Sequence, residues 1–219
     1  MRDKLKLIYK RLYSFFGPQH WWPAETPFEV MVGAILTQNT NWSNVEKAVN
    51  NLKKRKVLSV KRLHKLPPEE IALLIRSAGY YNIKAERIKN FLDFLNVHYK
   101  GNIRKMARAE TNKLRQGLLS VNGIGPETAD SILLYALSKP VFVIDAYTKR
   151  VFSRHGFILG DCDYHIAQDL FSKNLRNEVK LFNEYHALIV KLGKEFCLKN
   201  NPKCGICPLK VFNKRRFNA

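Results

Sequence analysis

Leu118-Leu119-Ser120-Val121-Asn122-Gly123-Ile124-Gly125-Pro126-Glu127-Thr128-Ala129-Asp130, followed downstream by Lys139-Pro140-Val141-Phe142-Val143-Ile144-Asp145, decides how this chain is read. Two glycines flanking one apolar residue allow a tight turn whose successive backbone N–H groups face outward. Pro126 suits the first position of a following helix, because its ring fixes φ and its missing N–H has no partner to lose there. The unpaired N–H groups of that helix start add to the turn. Gly123, Ile124, Gly125 and Thr128 then make a site for one phosphate oxygen, which needs no side-chain charge and ignores base sequence. Taken alone, G-x-G is better explained as an ordinary glycine turn between packed helices. The proline and the lone carboxylate of Asp145 downstream change that balance.

Working outward, helical spacing of apolar residues dominates. It runs through Phe28-Glu29-Val30-Met31-Val32-Gly33-Ala34-Ile35-Leu36, Glu69-Glu70-Ile71-Ala72-Leu73-Leu74-Ile75-Arg76 and Ile83-Lys84-Ala85-Glu86-Arg87-Ile88-Lys89-Asn90-Phe91-Leu92. The first dozen residues mix cations with apolar positions as an amphipathic helix does. Strand-like alternation is scarce. Breaks at Trp22-Pro23, Pro67-Pro68, Gly79, Gly101, Gly123 to Pro126, Lys139-Pro140 and Gly156 to Gly160 cut the chain into roughly ten helices with short loops, an all-α pattern. No internal repeat or low-complexity linker stands out.

At 219 residues and 46% hydrophobic content the chain can form one domain or two small ones around a buried core. Lysine and arginine number 38 against 18 acidic residues, a formal charge of +20. That balance attracts a polyanion but names no reaction, since a solubilising basic surface or an RNA-binding protein would share it. The N-terminus has no signal-type apolar core and no stretch is long enough to span a bilayer, so a soluble, cytoplasmic, nucleoid-associated protein is expected. Four cysteines, three of them clustered, suggest metal ligation in a reducing compartment rather than a disulfide framework.

The hairpin, the proline and Asp145 together resemble the signature of the helix-hairpin-helix Gly/Pro/Asp superfamily of DNA glycosylases. The resemblance covers nearly the whole chain, from Leu36-Thr37-Gln38-Asn39-Thr40 to the cysteines, and points to the endonuclease III-like branch. It implies an all-α fold of two helical lobes with a DNA-binding cleft between them. One lobe would comprise residues 28–138, with the helix-hairpin-helix at about 115–137. The other would combine 1–27 with 139–219. A double-stranded DNA partner carrying a damaged base, and a monomer, are expected.

Cleaving an N-glycosidic bond requires stabilisation of positive charge on the sugar and direction of an attacking water, and one ionised carboxylate can do both. Asp145 is the catalytic candidate; the same residue type is also a good N-cap for Ala146-Tyr147-Thr148-Lys149-Arg150-Val151. The target base lies inside the duplex stack, so it must be flipped into a pocket with aromatic faces. Gln38 and Asn39 resemble the polar side chains with which relatives fill the gap left by the flipped base, although from the residues alone they read as a helix C-cap or turn. Bifunctional relatives place a lysine nucleophile where this chain has Glu127. A carboxylate cannot form an imine, so water is the expected attacker and an abasic site the product.

All three tryptophans lie near these segments, Trp21 and Trp22 in Trp21-Trp22-Pro23 and Trp42 just after Gln38-Asn39-Thr40-Asn41. Any one of them is more simply a core residue. Together with Gly79-Tyr80-Tyr81-Asn82 they resemble the 3-methyladenine glycosylases of the endonuclease III type, where equivalent aromatics stack on the flipped base. Electron-rich indole faces attract a positively charged methylated purine by about 0.5–2 kcal/mol. The expected substrate is therefore 3-methyladenine. The alternatives are an oxidised pyrimidine, uracil or mismatched adenine, a bifunctional lyase, or a non-catalytic structure-specific DNA-binding protein.

Cys197, Cys204 and Cys207 have the spacing C-x6-C-x2-C. This is similar to the first three ligands of the loop, here 197–213, that holds a four-iron four-sulfur cluster in endonuclease III enzymes. Asn213 stands at the fourth position. Three outcomes stay open: a cluster with a non-cysteine fourth ligand, a zinc site completed by Cys162 or a histidine, and a loop without metal.

Overall fold

The computed structural model describes residues 1–212, and within them every regular element is helical. In chain order the helices are α1 (Arg2–Phe16), α2 (Pro27–Leu36), α3 (Trp42–Lys54), α4 (Val60–Lys65), α5 (Pro68–Leu74) and α6 (Tyr81–Tyr99). They continue as α7 (Ile103–Arg108), α8 (Thr111–Leu119), α9 (Pro126–Ser131), α10 (Ala146–Arg154), α11 (Tyr164–Ser172) and α12 (Val179–Glu195). Among the described residues no helix is long and apolar enough to cross a membrane. The chain divides into two compact units: Met1–Trp21 together with the chain from Pro140 onward, and Trp22–Lys139.

The second unit, Trp22–Lys139, is organised around α2. Every residue of α2 from Phe28 to Leu36 is buried, as expected of a helix that is apolar all round. Thr26 caps its start by accepting from the Glu29 amide at 3.2 Å. Glu29 is itself buried but ion-paired to Lys53 of α3 at 2.8 Å, so its charge is answered. Helices α3, α6 and α9 pack on α2.

Two departures from helical spacing are informative. The pattern over 69–76 predicts one helix, yet α5 stops at Leu74 and a 3-10 turn follows over Arg76–Ala78, ended by Gly79 at φ 68°. The hairpin's second helix is α9 followed by a π-helical turn over Ile132–Ala136, where the Leu137 amide reaches Ile132 O at 3.2 Å. Apolar periodicity does not distinguish i→i+4 from i→i+5 bonding over a single turn.

The first unit places α12 against α10 and α1. Its core is aromatic: Phe142 stacks on Phe171 with centroids 3.9 Å apart, and Phe182 and Tyr185 meet Phe142 edge-on. The buried Tyr185 hydroxyl donates to Leu5 O at 2.9 Å, tying the chain's start to α12.

Candidate active site

Asp145 is delivered by an extended apolar segment, 140–144, that has no sheet to join. Side chains supply its hydrogen bonds instead: Gln168 Nε2 donates to Phe142 O at 2.6 Å, and the Ile144 amide donates to Tyr164 Oη at 3.2 Å. Phe142, Val143 and Ile144 are buried, so the carboxylate that follows starts from a fixed anchor. Asp145 is the N-cap of α10, and Oδ1 accepts from the Thr148 amide at 2.7 Å. Oδ2 stands 3.6 Å from Nε2 of the buried His186 on α12. The Asp145 side chain is 12 % exposed. Burial pushes its carboxyl up, but the facing His186 imidazole and the hydrogen bond from the Thr148 amide outweigh it and hold the pKa below the ordinary value. The group is an oriented, ionised carboxylate. His186 is invisible to a motif search, because 40 residues of unrelated sequence separate it from Asp145.

The hairpin between α8 and α9 turns at Gly123, with φ 89°, and Gly125 caps α9 with Pro126 in its first turn. Arg115 of α8 clamps Asp130 of α9 through Nε at 2.6 Å and Nη2 at 3.0 Å, with the aspartate fully buried. Such a two-pronged pair fixes helix against helix. The Ile124 amide donates to Val121 O at 3.0 Å and its side chain is buried, so it anchors the turn from within. Gly125 and Glu127 are exposed.

Gln38 is bound to the same hairpin. Its Nε2 donates to Gly123 O at 3.0 Å and to Thr128 Oγ1 at 2.9 Å, while Arg87 Nη1 donates to its Oε1. The Arg87 stem lies directly over Gly123, where a Cβ would come within 2.2 Å of Arg87 Cγ. Glycine is thus required there for positive φ and for close approach. Asn39, next to Gln38, is exposed and holds φ 53°. Beneath this segment Lys84 is 1 % exposed and donates to Leu36 O and Ala78 O at 2.8 and 2.7 Å. Tyr80, at φ 46°, is 68 % exposed. Sequence gave no hint of Arg87 or Lys84, which sit within an ordinary helical stretch.

Trp22 packs edge-on against Trp42 with centroids 5.2 Å apart, and tilted against Tyr135 at 5.1 Å. The Trp22 ring also lies over Gly33 of α2, whose Cβ position would be 3.5 Å from it. All three aromatic rings of this group are partly exposed. Trp21 belongs to the first unit, where Lys194 Nζ lies 5.7 Å over its ring.

Cys197, Cys204 and Cys207 line one cavity of about 170 Å³ in the first unit, together with Arg154, His155 and Lys210. Arginines of α10 hold the end of α12 and the start of the loop: Arg150 donates to Gly193 O and Cys197 O, and Arg154 to Leu198 O and Lys199 O. Two sulfurs already receive N–H groups, Cys197 Sγ from Arg154 at 3.5 Å and Cys207 Sγ from the Leu209 amide at 3.4 Å. Burial, and then the neighbouring Cys197 and Cys204, push the Cys207 thiol up. A cationic guest would reverse that shift. Among the described residues no three His, Cys, Asp or Glu side chains converge on a point suited to one metal ion. Three thiols on one cavity are the donor chemistry that an iron–sulfur cluster uses. Cys162 is not on this cavity, and Asn213 lies outside the described residues.

The model of the HhH-GPD superfamily of base excision DNA repair proteins matches residues 32–177. A protein of Methanocaldococcus jannaschii named as a candidate DNA repair glycosylase is 50% identical over 207 residues, covering 94% of this chain and 93% of that one. Among solved structures, the 3-methyladenine DNA glycosylase of H. pylori bound to 1,N6-ethenoadenine superposes with a TM-score of 0.78 at 28% identity, over 87% of this chain and 97% of that one. An endonuclease III in a non-covalent DNA complex superposes with a TM-score of 0.84 at 22% identity, over 100% and 99%, and shares the fold. The chain belongs to the HhH-GPD superfamily of base excision DNA repair proteins and is, by family, a DNA glycosylase.

Proposed function

We propose that this DNA glycosylase is monofunctional and hydrolyses the N-glycosidic bond of a flipped alkylated purine in duplex DNA, 3-methyladenine foremost. The observation that carries the reading is Asp145, an ionised carboxylate fixed by the Thr148 amide and beside His186. Such a group stabilises the charge developing on the sugar and orients water toward it, without reorganising as the bond breaks. Glu127, in the first turn of α9, supports hydrolysis over imine chemistry, since it offers no amine where lyase relatives have one. The Trp22, Trp42 and Tyr135 group supports an electron-poor, cationic base as guest, and such a base leaves without a dedicated acid. The hairpin grips the backbone through main-chain donors, and the net charge of +20 favours any duplex.

A four-iron four-sulfur cluster on Cys197, Cys204 and Cys207 completes this reading. When bound it crosslinks the basic loop and supplies a fixed charge there; removal of the base uses only the residues above.

Single-lesion duplexes assayed with and without alkali test substrate and lyase activity together. Free 3-methyladenine, with strand breaks appearing only after alkali, is expected, and no borohydride-trapped complex. Asp145→Asn should keep duplex affinity and lose base release by about a hundredfold or more. Equal release by the two proteins would remove Asp145 from the reaction.

A further inference from the structure

The cysteine cavity contains one more donor than the spacing of cysteines reveals. His155, the C-cap of α10, lines it beside Cys197, Cys204 and Cys207. Its ring is buried, and Nδ1 stands 2.7 Å from Val151 O. A carbonyl oxygen only accepts, so Nδ1 carries the ring proton and Nε2 carries the lone pair. A histidine that ligates metal is typically held in this way, with its second nitrogen donating to a backbone carbonyl that fixes tautomer and ring direction. The bond to Val151 is made by the backbone of α10 itself, which Arg150 and Arg154 lock to the cysteine loop. The ring and the Cys197 backbone therefore share one mount.

Imidazole suits iron, whereas a neutral amide oxygen such as that of Asn213 suits harder cations. We propose that His155 Nε2 is the fourth protein ligand of a four-iron four-sulfur cluster whose other ligands are Cys197, Cys204 and Cys207. The proposal rests on the cluster reading given above and adds to it the identity of the missing ligand. With an imidazole replacing a thiolate the centre carries one negative charge fewer, so its reduction potential lies above that of a version with four thiolates.

The test is the full-length chain prepared without oxygen and loaded with ferrous iron and sulfide. Iron and sulfide content, pulsed electron paramagnetic resonance of the reduced centre and its potential are then compared for wild type, His155→Ala and His155→Cys. Wild type should carry a complete cluster with a strong hyperfine coupling to one nitrogen. His155→Ala should lose that coupling and part of its iron. His155→Cys, which keeps a donor in place, should retain full iron, lose the nitrogen coupling and show a lower potential. A wild type that takes up no cluster would overturn the cluster reading and this proposal together. A loaded wild type without nitrogen coupling, or an alanine variant with unchanged coupling and iron, would overturn the histidine ligand alone.

Discussion

Lys84→Met tests how the segment bearing Gln38 is supported, and its magnitude follows from the burial of one ammonium group. Lys84 is sealed in the second unit, where its hydrogen bonds run to Leu36 O at the end of α2 and to Ala78 O. Burial, and then repulsion from Arg87, lower its pKa from 10.5 to about 8. At about 1.4 kcal/mol per pH unit, holding the charged form in the folded chain costs about 3 kcal/mol. Below pH 8 the folded and unfolded chains both carry the proton, and the penalty is fully present. Between pH 8 and 10.5 only the unfolded chain keeps it, so stability rises with pH, and above 10.5 the penalty is gone. Methionine removes the penalty but leaves two carbonyls without their donor, at about 1–3 kcal/mol each. At pH 7 the two effects nearly cancel, and the variant should lie within about 2 kcal/mol of wild type. At pH 10.5 only the loss remains, so the gap should widen by about 3 kcal/mol in favour of wild type. Urea unfolding of both proteins, followed by tryptophan fluorescence across this range, measures that difference while cancelling every titration they share. A gap that stays constant with pH would show that Lys84 is not a buried, depressed ammonium and would refute the reasoning.

Gly123→Ala should destabilise the second unit by about 3–5 kcal/mol, from a positive φ and the displacement of Arg87 from Gln38; thermal unfolding within about 1 kcal/mol of wild type would contradict the required close approach. The same variant should bind undamaged duplex more weakly in a filter or anisotropy assay. Trp42→Ala should slow excision of 3-methyladenine by roughly tenfold to a hundredfold, the worth of one aromatic stack, with little change in affinity for undamaged DNA. An unchanged rate would take Trp42 out of the pocket. His186→Phe removes the group that most lowers the Asp145 carboxyl, so the acid limb of the pH profile for base release should move to higher pH; coincident acid limbs would show that His186 does not act on Asp145.

The residues by themselves determined what depends on a few neighbours along the chain. Gly123 and Pro126 specify a turn and a helix start because φ preferences are local. Asp145 specifies a cap because its acceptor reaches the amide three residues on. The all-round apolar run of α2 specifies burial whatever surrounds it. The tertiary structure decided which distant groups complete these pieces. It set Arg87 over Gly123, turned Gln38 onto Thr128, placed His186 beside Asp145 and brought His155 to the cysteine cavity. None of these follows from periodicity, because a helix pattern fixes which face is buried but not which side chain of another helix meets it. That choice is made by packing over long sequence separations, where the desolvated polar groups must find one another or leave the fold short of stability.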